Sequence, residues 1–184
     1  THTYTDAACY TLKIKGQAQR IKFNNPDANE RLTRILTPVR GIDGITSFAF
    51  TFTDCSKLMG PIPAGLFDNN TLVTNLVGIF MFCTGLTGSI PSGLFDNNTL
   101  VTTFEEAFTG CTGLTGSIPS GLFDNNTLVT NFERTFSGCT GLTGIPSGLF
   151  DYTPSVTDFD STFGNAIGVT SAVPTLWISH PGAA

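Results

Sequence analysis

Charged side chains are scarce in this sequence, and basic ones are the scarcer of the two kinds. Asp, Glu, Lys and Arg make up 12% of its 184 residues, whereas roughly a quarter is usual in a soluble domain. Nine Lys and Arg against 14 Asp and Glu leave a net charge of −5, and seven of the nine precede residue 41. A nucleic-acid interface needs a basic face repeated along its length. We therefore predict no nucleic-acid partner.

Histidine is almost absent, which argues against common catalytic centres. His2 and His180 lie near the two ends, where chains are least anchored. A Ser-His-Asp or Cys-His centre needs a nucleophile and a base held together, and no internal histidine is present to serve as that base. The GIDG stretch at 41–44 lacks the remaining residues of a phosphate-binding loop. We predict a protein that is not an enzyme and needs no cofactor or metal.

Long apolar runs are also missing. No stretch of about 18 consecutive apolar residues occurs, so we predict no membrane insertion. The sequence has no starting Met and no signal-peptide pattern at Thr1, so we expect either a removed leader or a piece of a longer polypeptide. A lightly charged chain rich in Thr, Asn and Gly is typical of extracellular proteins. The predicted location is extracellular or cell-surface, or the surface of a phage or fibre.

What the sequence does contain is a repeat. TLVTTFEEAFTGCTGLTG at Thr99 to Gly116 returns as TLVTNFERTFSGCTGLTG at Thr127 to Gly144. A looser copy begins at Thr71, and degenerate copies begin at Ile45 and Val156. A fixed period in this range predicts a solenoid, in which each repeat buries its apolar side only against its neighbours. Four cysteines mark the 28-residue period: Cys55, Cys83, Cys111 and Cys139.

These cysteines are predicted to be buried free thiols. Adjacent coils should lie about 4.8 Å apart, which is within disulfide reach, but aligned side chains point the same way rather than at each other. A disulfide ladder and a metal site are the weaker alternatives, the second because no histidine lies nearby. Cys9 stands outside the array, and its role is unassigned.

The middle of each repeat has the apolar spacing of a helix. The positions in the fourth copy are Val129, Phe132, Phe136 and Cys139, which fall on one helical face. Asn126 or Thr127 would then be the N-cap, since its side-chain oxygen accepts from free amides of the first turn.

A short extended piece follows at Leu142 to Pro146, and proline ends it because it has no amide to donate. Stacked copies of this piece predict a narrow parallel sheet. Ser147 to Asp151 then makes a turn of helix that buries Leu149 and Phe150. The fourth copy reads LTGIPSG where others read LTGSIPSG, which predicts a bulge or a shortened corner. The predicted fold class is therefore an α/β solenoid of about five coils.

The chain divides into three predicted regions. Residues 1–44 form a β-hairpin cap and a degenerate first coil, with Arg20 to Phe23 as the second hairpin strand. Residues 45–177 form the solenoid, and residues 178–184 form a tail. Trp177 is predicted to pack on the last coil, with a surface aromatic for a ligand as the alternative.

Outward positions of the short strand supply the candidate ligand face. They form a small, polar row that could bind sugars, another protein or, least of all, ice. The row comprises Thr87, Ser89, Thr115, Ser117 and Thr143.

A second row of polar residues lies at the GLFDNN corner. Its aspartates could hold Ca²⁺ through oxygen ligands, but Asp and Asn also close turns by bonding their own backbone, which is the favoured interpretation. Asn69, Asn97 and Asn125 each begin an Asn-x-Thr sequon, which predicts exposed corners.

The motif V-T-x-F-x-x-x-F-x-G-C-x-x-L-T-x-x-I-P, best seen at Val101 to Pro119 and Val129 to Pro146, resembles the BspA-like leucine-rich repeats of bacterial surface proteins. The resemblance covers about residues 45–177, with a repeat longer than is usual in that family because of the added GLFDNN segment. It implies a right-handed leucine-rich-repeat solenoid that is exposed on a cell or particle and binds proteins or glycans.

Two functions follow as hypotheses. The first is a non-enzymatic adhesion or ligand-binding module that recognises a host or bacterial surface protein or glycan. The second is a structural or receptor-binding subunit of a fibre that acts through self-association as a homo-oligomer.

Overall fold

The computed structural model describes residues 16–23, 31–40, 42–166 and 168–169. Within them the chain forms a stack of coils, one for each copy of the repeat. We number the coils 1 (45–72), 2 (73–100), 3 (101–128), 4 (129–155) and 5 (156–166). One parallel row of bridges runs through all five coils: Ser47↔Asn75, Asn75↔Thr103, Thr103↔Asn131 and Asn131↔Asp158. The period read from the sequence is therefore the period of the stack.

Residues 16–23 and 31–40 lie against coil 1 as a partial coil. Strand β1 (Gly16–Gln17) pairs in parallel with β2 (Ile42–Asp43). The Phe23 amide donates to the Thr51 carbonyl at 2.7 Å, and the Val39 amide donates to Leu66 at 2.9 Å. The first strand of the hairpin expected here lies outside the described residues, as do Cys9 and Trp177. The proposed boundaries of the three regions stay a prediction.

The extended piece of each repeat forms the parallel pairing that was expected, over a shorter length. β3 (Gly116–Ser117) pairs with β4 (Leu142–Gly144), and isolated bridges join Gly60 to Leu86 and Gly88 to Leu114. The pairing shifts register between Gly116 and Ser117, which confirms the bulge predicted where coil 4 lacks a residue.

The helix predicted at Val129 to Cys139 is wrong, and no helix occurs in the described part of the chain. The segment is a run of overlapping turns, which we call the turn run (132–139, with counterparts at 48–55, 76–83 and 104–111). Amides of Thr135, Ser137 and Cys139 donate to carbonyls three residues earlier at 3.0–3.1 Å. Amides of the alternate residues donate to the next coil instead, as from Phe132 to Asp158 at 2.8 Å and from Phe136 to Thr162 at 2.8 Å.

Positive φ values explain why the turn run cannot be a helix. Arg134 has φ 51° and Gly138 has φ 70°, the left-handed conformation that the third residue of a type II turn requires. A residue of this kind every fourth position interrupts a helix but keeps the same residues facing inward. The periodicity of the apolar side chains therefore matches a helix although the backbone does not.

Ladders of phenylalanine fill the interior. One ladder stacks six rings with centroids 5.4–5.7 Å apart and interplanar angles of 24° or less: Phe23, Phe52, Phe80, Phe108, Phe136 and Phe163. A second ladder of Phe67, Phe95, Phe123 and Phe150 has spacings of 6.0–6.2 Å. Because each ring touches its counterparts in the coils above and below, neighbouring coils share one continuous core.

Cysteine and asparagine complete the interior. Cys55, Cys83, Cys111 and Cys139 are buried free thiols, as predicted, and the Cys111 thiol donates to the Phe80 carbonyl at 3.0 Å. The assignment of Asn126 as a helix N-cap is wrong. Asn126 is fully buried, and its Nδ2 donates to the carbonyls of Phe95 and Asn98 at 3.3 and 3.0 Å.

The corner at 147–151 consists of turns rather than a turn of helix, with the Asp151 amide donating to Gly148 at 3.2 Å. Leu149 and Phe150 are buried there, as predicted. Among the described residues, no helix has the length and apolar character that crossing a bilayer would require.

Candidate functional site

The predicted ligand face lies on the surface as expected. All five of its side chains, Thr87, Ser89, Thr115, Ser117 and Thr143, are exposed. Backbone bonds hold the row in place, because the Thr87 amide donates to Gly60 at 3.0 Å and the Thr115 amide donates to Gly88 at 2.9 Å. The hydroxyls therefore project from a rigid support at one-coil intervals. We call this set the hydroxyl row.

The hydroxyl row has limits at both ends. Met59, which is 56% exposed, and Pro61 occupy the positions of Thr87 and Ser89 in coil 1. In coil 4 the missing residue removes the second hydroxyl. Ser117 leans over the vacated position, since a Cβ on Gly144 would lie 2.5 Å from its Oγ. The row is therefore two hydroxyls wide only in coils 2 and 3.

A longer row of threonines was not singled out from the sequence. In each threonine after coil 1, the amide donates to the threonine carbonyl of the preceding coil at 2.8–2.9 Å and the hydroxyl donates to the same carbonyl at 3.1–3.3 Å. All are exposed. The sequence feature that could have revealed this row is the Val-Thr or Ile-Thr pair that starts each coil. We call Thr46, Thr74, Thr102, Thr130 and Thr157 the threonine row.

Beside the threonine row lie three exposed leucines. Leu72, Leu100 and Leu128 have 54%, 40% and 48% of their surface exposed. The sequon residues Asn69, Asn97 and Asn125 are exposed at the neighbouring corner, as predicted, while the asparagine after each is buried.

The outward side of the turn runs, which we call the turn-run face, has two unlike halves. Its mainly apolar half, in coils 1 and 2, consists of Phe50, Val77, Met81 and Phe82, with the exposed Asp54 one coil before Phe82. Phe82 is 47% exposed, and the rings of Phe50 and Phe82 each lie over a glycine of the next coil, Gly78 and Gly110. The Nζ of Lys22 sits 5.3 Å from the Phe50 ring centroid.

The acidic half of the turn-run face occupies coils 3 to 5. It carries Glu105, Glu106, Glu133, Asp158 and Asp160, with Arg134 as its basic residue. Arg134 contacts Glu133 at 2.8 Å and Glu106 at 3.9 Å. Burial, followed by the charges of Glu133, Glu106 and Asp158, raises the pKa of Glu105. The raised pKa therefore reflects burial first and the neighbouring carboxylates second.

Both halves share two columns of residues whose backbone conformation is left-handed. Phe50, Glu106, Arg134 and Ser161 occupy one column with φ values of 51–56°. Phe82 shares a second column with Asp54, Gly110, Gly138 and Asn165. Glycine, asparagine and aspartate adopt a left-handed conformation readily, whereas a bulky residue there is strained. Coil 2 thus keeps an exposed phenylalanine where its neighbours have residues suited to the turn.

Chemistry beyond binding has few candidates here. The described residues contain no group of three or more His, Cys, Asp or Glu side chains arranged to hold a metal. In the aspartate row, Asp68, Asp96, Asp124 and Asp151 are exposed, and each folds toward the glycine of its own corner. His2 and His180 lie outside the described residues.

Comparison with solved structures finds weak similarity to leucine-rich-repeat proteins. A leucine-rich-repeat protein of T. pallidum has 16% identity and a TM-score of 0.23, with 80% of this chain and 86% of that chain covered. The TLR13–ssRNA13 complex has 11% identity and a TM-score of 0.22, with 76% of this chain and 26% of that chain covered. Such low scores do not define the fold.

Comparison of the sequence with family models and with curated proteins finds no match. No family model matches the chain, and no curated protein matches it.

Proposed function

We propose that this chain is a non-enzymatic adhesion or ligand-binding module of the leucine-rich-repeat type, related to the BspA-like surface proteins and working outside the cell. It would recognise a protein or glycan through the surface of a right-handed solenoid. The observation that carries the proposal is the hydroxyl row, in which short polar side chains project from a backbone-bonded support above an apolar interior.

A rigid row of this kind suits a repetitive ligand. The hydroxyls of Thr87 and Thr115 recur at the coil spacing of about 4.8 Å, and small side chains lose little conformational entropy when a ligand contacts them. The threonine row is less available, because each of its hydroxyl protons after coil 1 already bonds to a carbonyl. The hydroxyl row is therefore the better candidate of the two.

Glycan and host-protein arrays test the proposal. The variant Thr87→Ala, Thr115→Ala, Thr143→Ala should lose most of any signal that the parent chain gives. A matched control replaces Thr74, Thr102 and Thr130 with alanine and should retain it. Binding that survives the first set but not the second would move the site to the threonine row, and no binding by the parent chain would reject the proposal.

The alternative function, a fibre or filament subunit that self-associates, is favoured by the distribution of charge. Residues 1–44 contain seven basic and four acidic residues, a net charge of +3, while residues 45–184 contain two basic and ten acidic, a net charge of −8. Two copies arranged antiparallel would bring opposite charges together. Light scattering after size exclusion tests this alternative, and a monomer at all concentrations would count against it.

A further inference from the structure

We propose that copies of this chain stack end to end, with residues 16–23 of one copy lying on coil 5 of another, so that the stack of coils continues across the junction. This inference rests on the self-association alternative, which it deepens by naming the two surfaces, and not on ligand binding by the hydroxyl row. Its basis is that the two ends of the stack carry complementary halves of the contacts that repeat within it.

The first phenylalanine ladder is open at both ends. It begins at Phe23 and ends at Phe163, and these two rings are only partly buried, whereas the rings between them are buried. Neighbouring rings stack with centroids 5.4–5.7 Å apart. Placing Phe23 of a second copy over Phe163 would add one more step of the same kind and bury both end rings.

Backbone hydrogen bonds along this ladder follow one rule. The amide of each ladder phenylalanine donates to the carbonyl of the residue that precedes the next ladder phenylalanine. The five bonds measure 2.7–3.0 Å: Phe23 to Thr51, Phe52 to Ile79, Phe80 to Ala107, Phe108 to Thr135 and Phe136 to Thr162. Within the described residues the Phe163 amide has no acceptor, and the carbonyl of Lys22, which precedes Phe23, has no donor. These two groups are the donor and the acceptor of the next bond in the series.

The threonine row repeats this pattern with the opposite polarity. Its amides donate toward the preceding coil, and the first of these bonds runs from the Thr46 amide to the Gln19 carbonyl at 3.3 Å. In the described part of the chain no bond uses the Gln19 amide or the Thr157 carbonyl. Each column therefore has a donor at one end of the stack and an acceptor at the other. Residues 19–22 join the two columns with two residues fewer than the equivalent residues 46–51, so the junction has fewer bonds than an internal contact.

Charge favours the pairing of unlike ends. Residues 16–23 and 31–40 carry five basic and no acidic side chains, whereas coil 5 carries Asp158 and Asp160 and no basic one. Arg20 and Lys22 are exposed, and both lean toward coil 1 of their own chain. They would act on the aspartates of the other copy across roughly 10 Å, a distance at which salt screens much of the attraction. Association should therefore be weak and sensitive to salt, and two like ends should repel.

Stacking of unlike ends does not close. A contact between two different surfaces leaves one free surface of each kind on the pair, so a third copy can add. The expected product is a series of oligomers whose length increases with concentration, which distinguishes this arrangement from a closed dimer.

Sedimentation velocity of the full chain over a roughly hundredfold concentration range tests the stacking. The parent chain should pass from monomer to dimer and then to longer species. Phe163→Ser should lower the association constant at least about tenfold, as loss of an aromatic anchor does. Because Phe163 also packs on Phe136, its melting temperature is measured as well. Asp160→Lys changes an exposed side chain instead and should also weaken association, whereas Leu128→Ala, which alters an exposed apolar side chain elsewhere, should associate like the parent.

Charge exchange tests which ends meet. Lys22→Glu and Asp160→Lys should each weaken association, because both ends of each variant then carry the same sign of charge at the junction. Equimolar mixing of the two variants should restore the oligomers, since every junction between unlike variants again joins opposite charges. Lys57→Glu and Asp124→Lys make the same changes of net charge away from the ends and should have little effect.

Several outcomes would overturn the inference. These are a parent chain that stays monomeric, a dimer that does not grow with concentration, and mixed charge variants that fail to associate. A parent chain that oligomerises only after residues 170–184 are removed would assign the end of coil 5 to that segment. Oligomers unaffected by Phe163→Ser and Asp160→Lys would keep the self-association alternative and reject end-to-end stacking. The alanine variant of the hydroxyl row should still stack, so failure of ligand binding and failure of this inference are distinguishable.

Discussion

Coils 2 and 3 have the same backbone and nearly the same interior, yet they present opposite surfaces. Phe80 and Phe108 stack on each other at 5.7 Å, and Cys83 and Cys111 lie at equal depth. On the outside, coil 2 exposes Phe82 where coil 3 has Gly110. The comparison shows that the repeat keeps its packing residues while its outward positions change from apolar to acidic. Function should be sought where the copies differ or where small polar residues recur outward.

The largest expected effect is in the shared interior. Phe80→Ala and Phe108→Ala should each lower the free energy of unfolding by about 3–5 kcal/mol, since each removes a fully buried ring from a ladder. Urea unfolding followed by circular dichroism measures both. The two losses should agree within about 1 kcal/mol, and a much smaller loss for Phe80 would show that the coils do not share one core.

Thiol reactivity should not distinguish coils 2 and 3 either. Burial, aided by Asp54, raises the pKa of Cys55 from 9.0 to about 11, and burial raises the pKa of Cys83 and Cys111 further. At pH 8 the thiolate population of Cys55 should be about a hundredfold below that of an ordinary cysteine. Labelling with iodoacetamide and peptide mass spectrometry, with urea-unfolded protein as reference, should find Cys55 first and Cys83 and Cys111 later. Rapid labelling of Cys111 would contradict the stacked interior.

A smaller effect is expected at the position where the surfaces differ. Phe82→Gly relieves roughly 1–2 kcal/mol of left-handed strain, but it adds about 0.5–1 kcal/mol of chain entropy to the unfolded state and removes the half-buried ring that covers Gly110, worth about 1 kcal/mol. These contributions nearly cancel, so the free energy of unfolding should change by less than about 1.5 kcal/mol. A loss above about 2 kcal/mol would identify Phe82 as a packing residue, and the two coils would then differ in architecture as well as in surface.

The smallest effect concerns the acidic half. Because the folded pKa of Glu105 is raised, the folded state binds more protons than the unfolded state just above the unfolded value. The free energy of unfolding should rise as pH falls through the raised pKa and level off below the unfolded one. For this half-exposed group the gain should be about 0.5 kcal/mol or less. Glu105→Gln should remove that part of the pH dependence in thermal melts from pH 4 to 7, whereas Asp124→Asn should keep it.

Much of the stack could be predicted from the sequence because its period is explicit. The cysteine positions gave the coil length, and the missing residue before Ile145 located the bulge. The helix at Val129 to Cys139 was wrong since a run of turns places apolar residues inward at nearly helical intervals. A helix and a turn run differ in the pairing of alternate amides with the next coil, and such pairing is not visible in one sequence. The glycines at 110 and 138 were the sequence signal that could have indicated turns rather than a helix.

The candidate surfaces could also be predicted only in part. Thr87 and Ser117 were placed outward because a strand alternates, and the structure agrees. The two halves of the turn-run face could not be predicted, because a helix would have distributed Phe82 and Glu106 differently. Phe82 and Glu106 each lie in a column of residues with positive φ values, which phenylalanine and glutamate seldom adopt.

The bonds between coils run along the axis of the stack, as in the bridges from Ser47 to Asp158, and this has a mechanical consequence. A pulling force applied at the two ends of the array would load one layer of these bonds at a time. Each coil that peels away releases 28 residues of chain, roughly 90–100 Å when extended, while the remaining coils stay packed. Under tension the array would lengthen in regular steps rather than break at once.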